Sequence, residues 1–387
     1  MIVQLEISLT PFRFPHPGYK WPAVTMARTA FVAGCLSLAV LLQSILATDV
    51  HGAAISTNFP DPCLALADDG TWYAFSTQTE TINIQLASSP DFKQWKLHDG
   101  YDALPVLPAW AREHPHAGVW APDVNPRPDG SWVMYFAALT KSHPRKHCIG
   151  VAISPNVTGP YTPLDTTLVC DLPGGGNIDP NLFRDPVNGQ NYLVYKTDGN
   201  TLGHGGACGN TKDPVVPTPL HLQLLKATDL VTPIGDPIYL FSNIGDLKQD
   251  GPNVERPSLV FQESTYYLLY NAQCYAELNY RVDFVSCAVG IDTHTGILGC
   301  DWKALKKEQQ TWGNRTLLKT GDSVSGFTLH APGSMDVSPD QHKIVFHGDI
   351  NLEWFKPDHP RNIHRERAMY AGEIDFVDSS LRVVELF

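Results

Sequence analysis

The sequence predicts an all-β fold, a five-bladed β-propeller whose blades are four-stranded antiparallel sheets. Three observations predict it. A strand–turn–strand unit recurs along the chain, an acidic residue opens four copies of that unit, and no long stretch has a helical period. The 30 glycines and 31 prolines among 387 residues fit a chain with many turns, and a hydrophobic content of 43 % allows a large core.

The first repeating unit is a hairpin that opens with an acidic residue. It has a short apolar strand, a tight turn and an aromatic-rich strand. The copies are NFPDPCLALADDGTWYAF (58–75), WAPDVNPRPDGSWVMYF (120–136), NIDPNLFRDPVNGQNYLVY (177–195) and VERPSLVFQESTYYLLY (254–270). Their acids are Asp61, Asp123, Asp179 and Glu255. A fifth copy at 330–349 keeps the hairpin but has no acid at this point.

A second hairpin alternates with the first and completes each unit. Its copies are INIQLASSPDFKQW (82–95), HCIGVAISPNVTGPY (147–161) and HLQLLKATDLVTPI (221–234), with weaker copies at 284–298 and 367–376. Units of four strands cannot bury both faces alone, which favours a closed ring. A many-stranded sandwich is the alternative, but it gives no reason for one acid per unit. Because the first strand of every propeller blade lies beside the axis, we expect the acids to converge.

The first 52 residues have the pattern of a leader that precedes the propeller. Met26 and Arg28 give a short basic start, and an apolar run over residues 30–42 is followed by small residues. This pattern is typical of a secretory signal peptide and is short for a membrane span. We therefore predict a translation start at Met26, a secreted extracellular protein and a single propeller domain over 53–387. A retained signal anchor is the alternative.

Cysteine spacing and charge narrow the classes of partner. Export permits disulfides, and the candidate pairs are Cys148 with Cys170, Cys287 with Cys300, and Cys208 with Cys274, which leaves Cys63 over. Sequence alone does not prove this connectivity. The chain has no C-x-x-C spacing, which argues against structural zinc. A net charge of −12 disfavours nucleic acid and anionic membranes, so a neutral ligand and a monomer are expected. The sequons at Asn156 and Asn314 have meaning only after export.

Carboxyl groups that converge on one axis could act together as an acid and a base. Glycosidic hydrolysis needs two carboxyl groups that face each other across a sugar, one as proton donor and one acting on water or the anomeric carbon. A third negative charge keeps the donor protonated near neutral pH. Taken singly, each acid beside a proline is also a common way to begin a turn.

The motifs NFPDP, WAPD, NIDP and VERP, in that order, resemble the glycoside hydrolases of family 43. The resemblance covers about residues 55–376 and implies a five-bladed propeller that hydrolyses with inversion. It implies carbohydrate substrates such as arabinan, arabinoxylan and xylo-oligosaccharides, with an α-L-arabinofuranosidase or β-xylosidase favoured. By the same resemblance the general base is Asp61, the acid that tunes pKa and positions substrate is Asp179, and the general acid is Glu255.

Three further residues are assigned to substrate contact. Asp123 matches a motif aspartate outside the catalytic three and is interpreted as structural or as a minor pocket contact. Trp120 either forms an apolar wall for a sugar ring or packs between blades. His330 is a shifted substitute for the histidine that binds a central ion through water in family members. No cofactor is required for acid and base catalysis by carboxyl groups. A structural calcium at the propeller centre is an additional, open prediction.

Two features leave the interpretation open. Many family members have Ala at the position of Arg256. The charge of Arg256 would lower the pKa of Glu255, but strand alternation predicts that the Arg256 side chain points away from Glu255. The Gly-rich loop GHGGACGN (203–210) is expected to shape the rim of the pocket. The alternatives to the leading function are a non-catalytic glycan-binding propeller and a related propeller glycosidase that acts on fructans or mannosides.

Overall fold

The computed structural model describes residues 52–387 except 115, 244, 290–293, 312–314, 359–363 and 378–379. The predicted signal peptide, the start at Met26 and the sequon at Asn314 lie outside the described residues. The described residues form one compact unit. Within the described part of the chain, no helix is long and apolar enough to cross a membrane.

The described residues form five four-stranded sheets in which consecutive strands pair antiparallel, so the predicted five-bladed propeller is confirmed. Blade one contains β1 (Cys63–Leu66), β2 (Trp72–Ser76), β3 (Gln85–Ser89) and β4 (Lys96–Leu97). Blade two contains β5 (Trp120–Pro126), β6 (Trp132–Leu139), β7 (His147–Ser154) and β8 (Thr162–Pro163). Blade three contains β9 (Asn177–Arg184), β10 (Asn191–Thr197), β11 (Leu220–Leu225) and β12 (Pro233–Phe241).

The last two blades are separated by a small hairpin. Blade four contains β13 (Val254–Gln262), β14 (Thr265–Ala272), β15 (Arg281–Ala288) and β16 (Thr316–Leu318). The hairpin is β17 (Ser323–Val324) and β18 (Phe327–Thr328). Blade five contains β19 (Gly333–Val337), β20 (Lys343–Asp349), β21 (Arg367–Val377) and β22 (Ser380–Leu386). Short 3₁₀ helices span Gly199–Leu202, Ala207–Gly209, Gly296–Gly299 and Leu352–Phe355.

One α-helix, α1 (Trp302–Thr311), lies between β15 and β16. The expectation of no helix is wrong here. Apolar Trp302 and Leu305 stand one turn apart, but the next inward position is Lys306, which is 2 % exposed and pairs with Asp250 at 2.6 Å. Because a charged residue takes an inward position, the helical period of apolar residues is broken in the sequence.

The core is divided into apolar clusters that lie between neighbouring blades. Tyr192 of blade three and Leu268 of blade four, for example, belong to one such cluster. Clusters of the same kind join the other neighbouring pairs, including blade five with blade one. The backbone closes the ring as well, since Ile55 and Met369 exchange hydrogen bonds of 3.1 and 3.0 Å. Each sheet therefore buries its two faces against its neighbours.

The innermost strand of each blade carries the same irregularity where the chain enters the sheet. One residue there has a positive φ, and the pairing register shifts across it in blades two to five. The residues are Asp61, Ala121, Asp179, Arg256 and Ser334, and all but Ser334 precede a proline. Such β-bulges re-aim side chains. The bulges place Asp61 and Asp179 at equivalent points, Glu255 one residue earlier and Asp123 two residues later, so the predicted equivalence of the four acids is only approximate.

Three disulfides are present, and the pairs are the candidates that the spacing suggested. They join Cys148 to Cys170, Cys208 to Cys274 and Cys287 to Cys300. Cys63 is a buried free thiol, also as expected. The Cys208–Cys274 bond ties the Gly-rich loop of blade three to the end of β14 in blade four.

Removing the Cys208–Cys274 bond with serines is expected to cost more stability than removing Cys287–Cys300. The bonds close loops of 66 and 13 residues. Loop-closure entropy then gives about 4 and about 3 kcal/mol respectively. Urea unfolding of the two double-serine variants, each compared with the oxidised wild type, measures the difference. A larger loss for the Cys287/Cys300 variant would contradict this reasoning.

Candidate active site

The three predicted catalytic acids line one cavity of about 370 Å³. Asp61 reaches it from just before β1, Asp179 from β9 and Glu255 from β13, and Trp120 reaches it from blade two. The structure thus brings together four of the six residues that the sequence singled out. Their individual roles in catalysis and binding remain a prediction.

Asp61 is held in its ionised form by its surroundings. Its carboxylate accepts hydrogen bonds from Thr77 Oγ1 and Ser334 Oγ, both at 2.8 Å, and Arg367 Nη1 lies 3.4 Å from Oδ1. Burial alone would raise the pKa of Asp61, but the charge of Arg367 and the hydrogen bond from Ser334 oppose it, and the pKa lies well below its usual range. A carboxylate that stays ionised suits a base.

His347 of β20 supports Asp61 from behind. Its Nδ1 accepts a hydrogen bond of 3.1 Å from the Asp61 backbone N–H. Burial lowers the pKa of His347 to about 4, so the ring is neutral and its remaining proton is on Nε2. Sequence analysis did not identify this residue. The pairing of His347 with Gly333, next to the fifth bulge, explains its position and was not visible in the sequence.

Asp179 differs from Asp61 although both occupy the same bulge position. Its Oδ2 accepts a hydrogen bond of 3.0 Å from the Arg256 backbone N–H. Burial and the neighbouring charge of Glu255 raise the pKa of Asp179 to about 7, against the opposing charges of Lys196 and Arg256. Near neutral pH this carboxyl group is therefore partly protonated.

Glu255 is fixed by two residues that sequence analysis missed. Lys196 Nζ lies 2.9 Å from Oε2, and the Tyr280 hydroxyl donates to Oε1 at 3.0 Å. Lys196 is also 3.0 Å from Asp198, so its charge is shared between two carboxylates. A lysine inside the apolar strand β10 was a usable signal, because a buried ammonium group requires an acidic partner. For Tyr280 the sequence offered no comparable signal.

Trp120 lies at the wall of the cavity with 37 % of its surface exposed. Its ring packs against the buried His147 ring, with 3.9 Å between the centroids. The alternative of packing buried between two blades does not fit this exposure. A supported, partly open indole face is a surface on which a sugar ring can stack.

Asp123 is not among the residues that line the catalytic cavity, so of its two predicted roles its contacts fit the structural one and not the minor pocket contact. It accepts hydrogen bonds from the Leu182 N–H at 2.8 Å and from Asn181 Nδ2 at 3.2 Å. With Asp336 of blade five it lines a separate cavity of about 210 Å³. Both aspartates follow their bulges by two residues, so Asp336 is the acid of the fifth blade that the sequence comparison did not find.

His330 is also absent from the residues that line the catalytic cavity. It is half-buried and lies between β18 and β19, where its carbonyl accepts from the Asp349 N–H at 2.8 Å. The assignment of His330 to substrate contact therefore has no geometric support. The histidine at the site is His347.

Arg256 points towards the propeller axis and donates to groups other than Glu255, the acid from which strand alternation had predicted that it points away. Its positive φ, +49°, breaks the alternation. The side chain is 2 % exposed and donates to the carbonyls of Pro62 at 3.1 Å and Pro180 at 3.4 Å. Its charge stabilises the ionised forms of Asp123 and Asp336, whose pKa values are raised by burial.

The described residues on the axis do not fit a directly bound calcium. Calcium takes six to eight oxygen ligands, and no group of three His, Cys, Asp or Glu side chains suited to a metal occurs among the described residues. A guanidinium group already supplies positive charge there. His347 Nε2 is buried and has no hydrogen-bond partner among the described residues.

Fold and site together define a five-bladed β-propeller with a carboxyl-lined cavity at its axis. The model of the family "Glycosyl hydrolases family 43" matches residues 53–284, and the chain belongs to this family. The predicted family resemblance is thus confirmed.

Curated relatives and solved structures agree with this membership. An extracellular endo-alpha-(1->5)-L-arabinanase 2 of Bacillus subtilis (strain 168) is 25 % identical over 193 residues, which is 43 % of this chain and 38 % of that protein. Endo-alpha-(1->5)-L-arabinanase 1 of the same organism is 23 % identical over 289 residues, 72 % of this chain and 76 % of its own. The first match thus spans well under half of that relative. A thermostable family-43 glycoside hydrolase structure superposes with a TM-score of 0.61 at 21 % identity, covering 84 % of this chain and 93 % of its own, and so supports the fold.

Proposed function

We propose that the protein is an inverting glycoside hydrolase that cleaves arabinose- or xylose-containing saccharides of plant cell walls. The observation that carries the proposal is the set of three carboxyl groups in one cavity, each with a different environment. The relatives are named arabinanases, so α-1,5-linked arabinan is the first substrate to test. The sequence had favoured an arabinofuranosidase or a β-xylosidase, and arabinoxylan and xylo-oligosaccharides remain in the substrate class.

In the proposed reaction Glu255 donates a proton to the glycosidic oxygen as the bond to the anomeric carbon breaks. The donor becomes a carboxylate, and Lys196 and Tyr280 are placed at its two oxygens to stabilise that charge. The other buried carboxyl group of the cavity, Asp179, supports this role, because two buried carboxyl groups that interact favour a proton shared between them.

Asp61 acts as the base on the other side of the sugar. It removes a proton from the water that attacks the anomeric carbon, which inverts the configuration. Its contacts with Ser334, Thr77 and Arg367 fix the carboxylate and keep it ionised. Water attack requires space between the two acids, so carboxyl oxygens of Asp61 and Glu255 about 6.5–9.5 Å apart are expected.

The pKa of Asp179 is raised to about 7 by burial and by Glu255, so the activity is expected to fall as pH rises above about 7, where the pair of acids loses its shared proton. Asp179→Asn removes the negative charge that favours the proton on the pair, so the alkaline limb of kcat/KM moves to lower pH by about one unit. A pH–rate profile of wild type and variant measures the shift. Asp123→Asn is the control, because it changes a carboxyl group outside the cavity. A limb that stays in place in Asp179→Asn would exclude Asp179 as the tuning group.

Product analysis on debranched arabinan, arabinoxylan and xylo-oligosaccharides tests the substrate class and separates release of single sugars from internal cleavage. The second candidate function is a non-catalytic glycan-binding propeller, for which the Lys196–Glu255 ion pair is the favouring observation. Aryl arabinofuranoside and aryl xyloside separate the two candidates. Released phenol supports the hydrolase, and glycan binding without turnover supports the second candidate.

An extracellular location is part of the proposal. Three disulfides are consistent with an oxidising compartment, and the relatives are named extracellular. Recovery of the mature chain from the culture medium of its source, with the N-terminus determined by peptide sequencing, tests it. We further propose a monomer, to be measured by light scattering.

A further inference from the structure

A second cavity lies on blade four, apart from the carboxyl groups that line the catalytic one. Its volume is about 490 Å³, within the range of pockets that bind small molecules. Strand β15, helix α1 and strand β16 contribute walls, and Lys248 and Gln249 come from the loop before β13. Tyr280 lines the catalytic cavity, whereas the next residue, Arg281, lines this one.

The lining of this cavity is strongly cationic in a chain that is acidic overall. The lining contains five basic side chains, which are Lys248, Arg281, Lys306, Arg315 and Lys319. Asp283 is the acidic residue of the lining, whereas the whole chain has a net charge of −12. A concave surface with this imbalance concentrates anions.

The acid of the lining and the buried acid behind it are each paired with a basic side chain, whereas Asp246 and Asp322 accept from the backbone N–H groups of Lys248 and Lys319 at 2.9 Å. Asp283 accepts from Arg281 Nε at 2.9 and 3.0 Å, and Asp250, behind the lining, accepts from Lys306 at 2.6 Å. The ammonium groups of Lys248 and Lys319 have no hydrogen bond or ion pair to any described residue, and both side chains are exposed. Two cationic groups at the mouth of the cavity are therefore open to a ligand.

We propose that this cavity binds a carboxylate-bearing saccharide, a short oligomer of hexuronic acid. Lys248 and Lys319 pair with its carboxylates, and the Arg315 guanidinium adds positive charge to the lining. The site is distinct from the catalytic cavity, and its occupation is independent of whether the protein hydrolyses glycosides.

The other lining groups favour a sugar over an inorganic anion. The amide oxygen of Asn279 and the hydroxyl oxygen of Thr316 are acceptors for sugar hydroxyl groups. Leu278, 40 % exposed, offers an apolar surface to the C–H face of a ring. A phosphate or sulfate ion would use the charges and leave these groups and most of the volume unused.

Calorimetric titration with trigalacturonate at low salt tests the proposal. Wild type is expected to bind trigalacturonate at least ~10-fold more tightly than neutral galactotriose, with affinity that falls as salt is added. The double variant Lys248→Glu/Lys319→Glu is expected to lose at least ~10-fold of that affinity. The control Lys96→Glu/Lys226→Glu makes the same change in net charge at exposed positions on blades one and three and should stay within about 2-fold.

Three results would overturn the proposal. They are equal affinity for the charged and neutral trisaccharides, unchanged affinity in the Lys248/Lys319 variant, and phosphate that binds as tightly as trigalacturonate. Arabinan hydrolysis and thermal unfolding of both double variants check that the fold is intact. The titration measures binding without turnover. If the protein hydrolysed no glycoside, the proposed function would be overturned, but the titration would still test the binding of trigalacturonate.

Discussion

Glu255→Gln and Asp61→Asn each lower kcat on arabinan or the best substrate found at least ~10³-fold, because general acid and general base catalysis each contribute large factors. Both changes preserve the size of the side chain. Gln at 255 cannot donate a proton to the leaving oxygen, and Asn at 61 cannot remove one from water. Steady-state kinetics on natural and aryl substrates, with circular dichroism to verify folding, measure the effect.

Aryl substrates with good leaving groups refine this prediction. A leaving group of low pKa needs little protonation, so Glu255→Gln should recover much of its rate on an activated aryl glycoside, whereas Asp61→Asn should not. Asp123→Asn is the matched control, since Asp123 lines another cavity, and kcat should stay within about 3-fold. Near-normal activity of Glu255→Gln on arabinan would remove the assignment of the acid.

Arg256→Met is expected to destabilise the fold by about 3–5 kcal/mol, the usual cost of leaving buried charges without their partner. The guanidinium is buried and faces Cys63, Asp123, Asp179 and Asp336, which come from the four other blades. Methionine fills part of the volume, so loss of charge is the main change. Urea unfolding curves of wild type and variant give the difference.

The cost of Arg256→Met should also depend on pH. The pKa of Asp123 in the folded protein is raised to about 7, and that of an unfolded aspartate is near 3.8. The stability linked to the proton of Asp123 is therefore fully present below about pH 4 and is lost as pH rises through about 7. Arg256 limits that loss, so its removal costs more at pH 8 than at pH 5. Arg256→Lys, which keeps the charge, is the control. An equal cost at both pH values would contradict the role of Arg256 as an internal counter-ion.

The propeller could be predicted from the sequence because each repeating unit has a recognisable local pattern of strand and turn residues. Each unit has turn residues between alternating and aromatic strands, as at Asp69-Gly70 in blade one, and these signals survive divergence of the side chains. The helix α1 was missed because the charged Lys306 occupies a buried position and interrupts the helical period of apolar residues. Lys306 is buried there because it pairs with Asp250 of a distant loop. Such a long-range contact cannot be inferred from the local sequence pattern.

The site could be predicted only in part, for a geometric reason. Sequence periodicity assumes regular strands, and the bulges change which side chains face the axis. Asp61, Asp179 and Glu255 reach the cavity, but Asp123, two residues beyond its bulge, does not. Arg256 lies at a bulge with a positive φ and turns inward, a direction that the sequence did not specify. Tyr280 and His347 reach the acids from other strands or loops, so their roles depend on tertiary packing.

The most direct measurement of the central proposal, two acids acting across a sugar with water between them, is the configuration of the first product. A proton NMR time course on an α-L-arabinofuranosyl substrate, recorded before mutarotation, shows it. We predict that the β-anomer appears first, as inversion requires. Initial release of the α-anomer would mean retention and would contradict the assignment of Asp61 as a base that activates water.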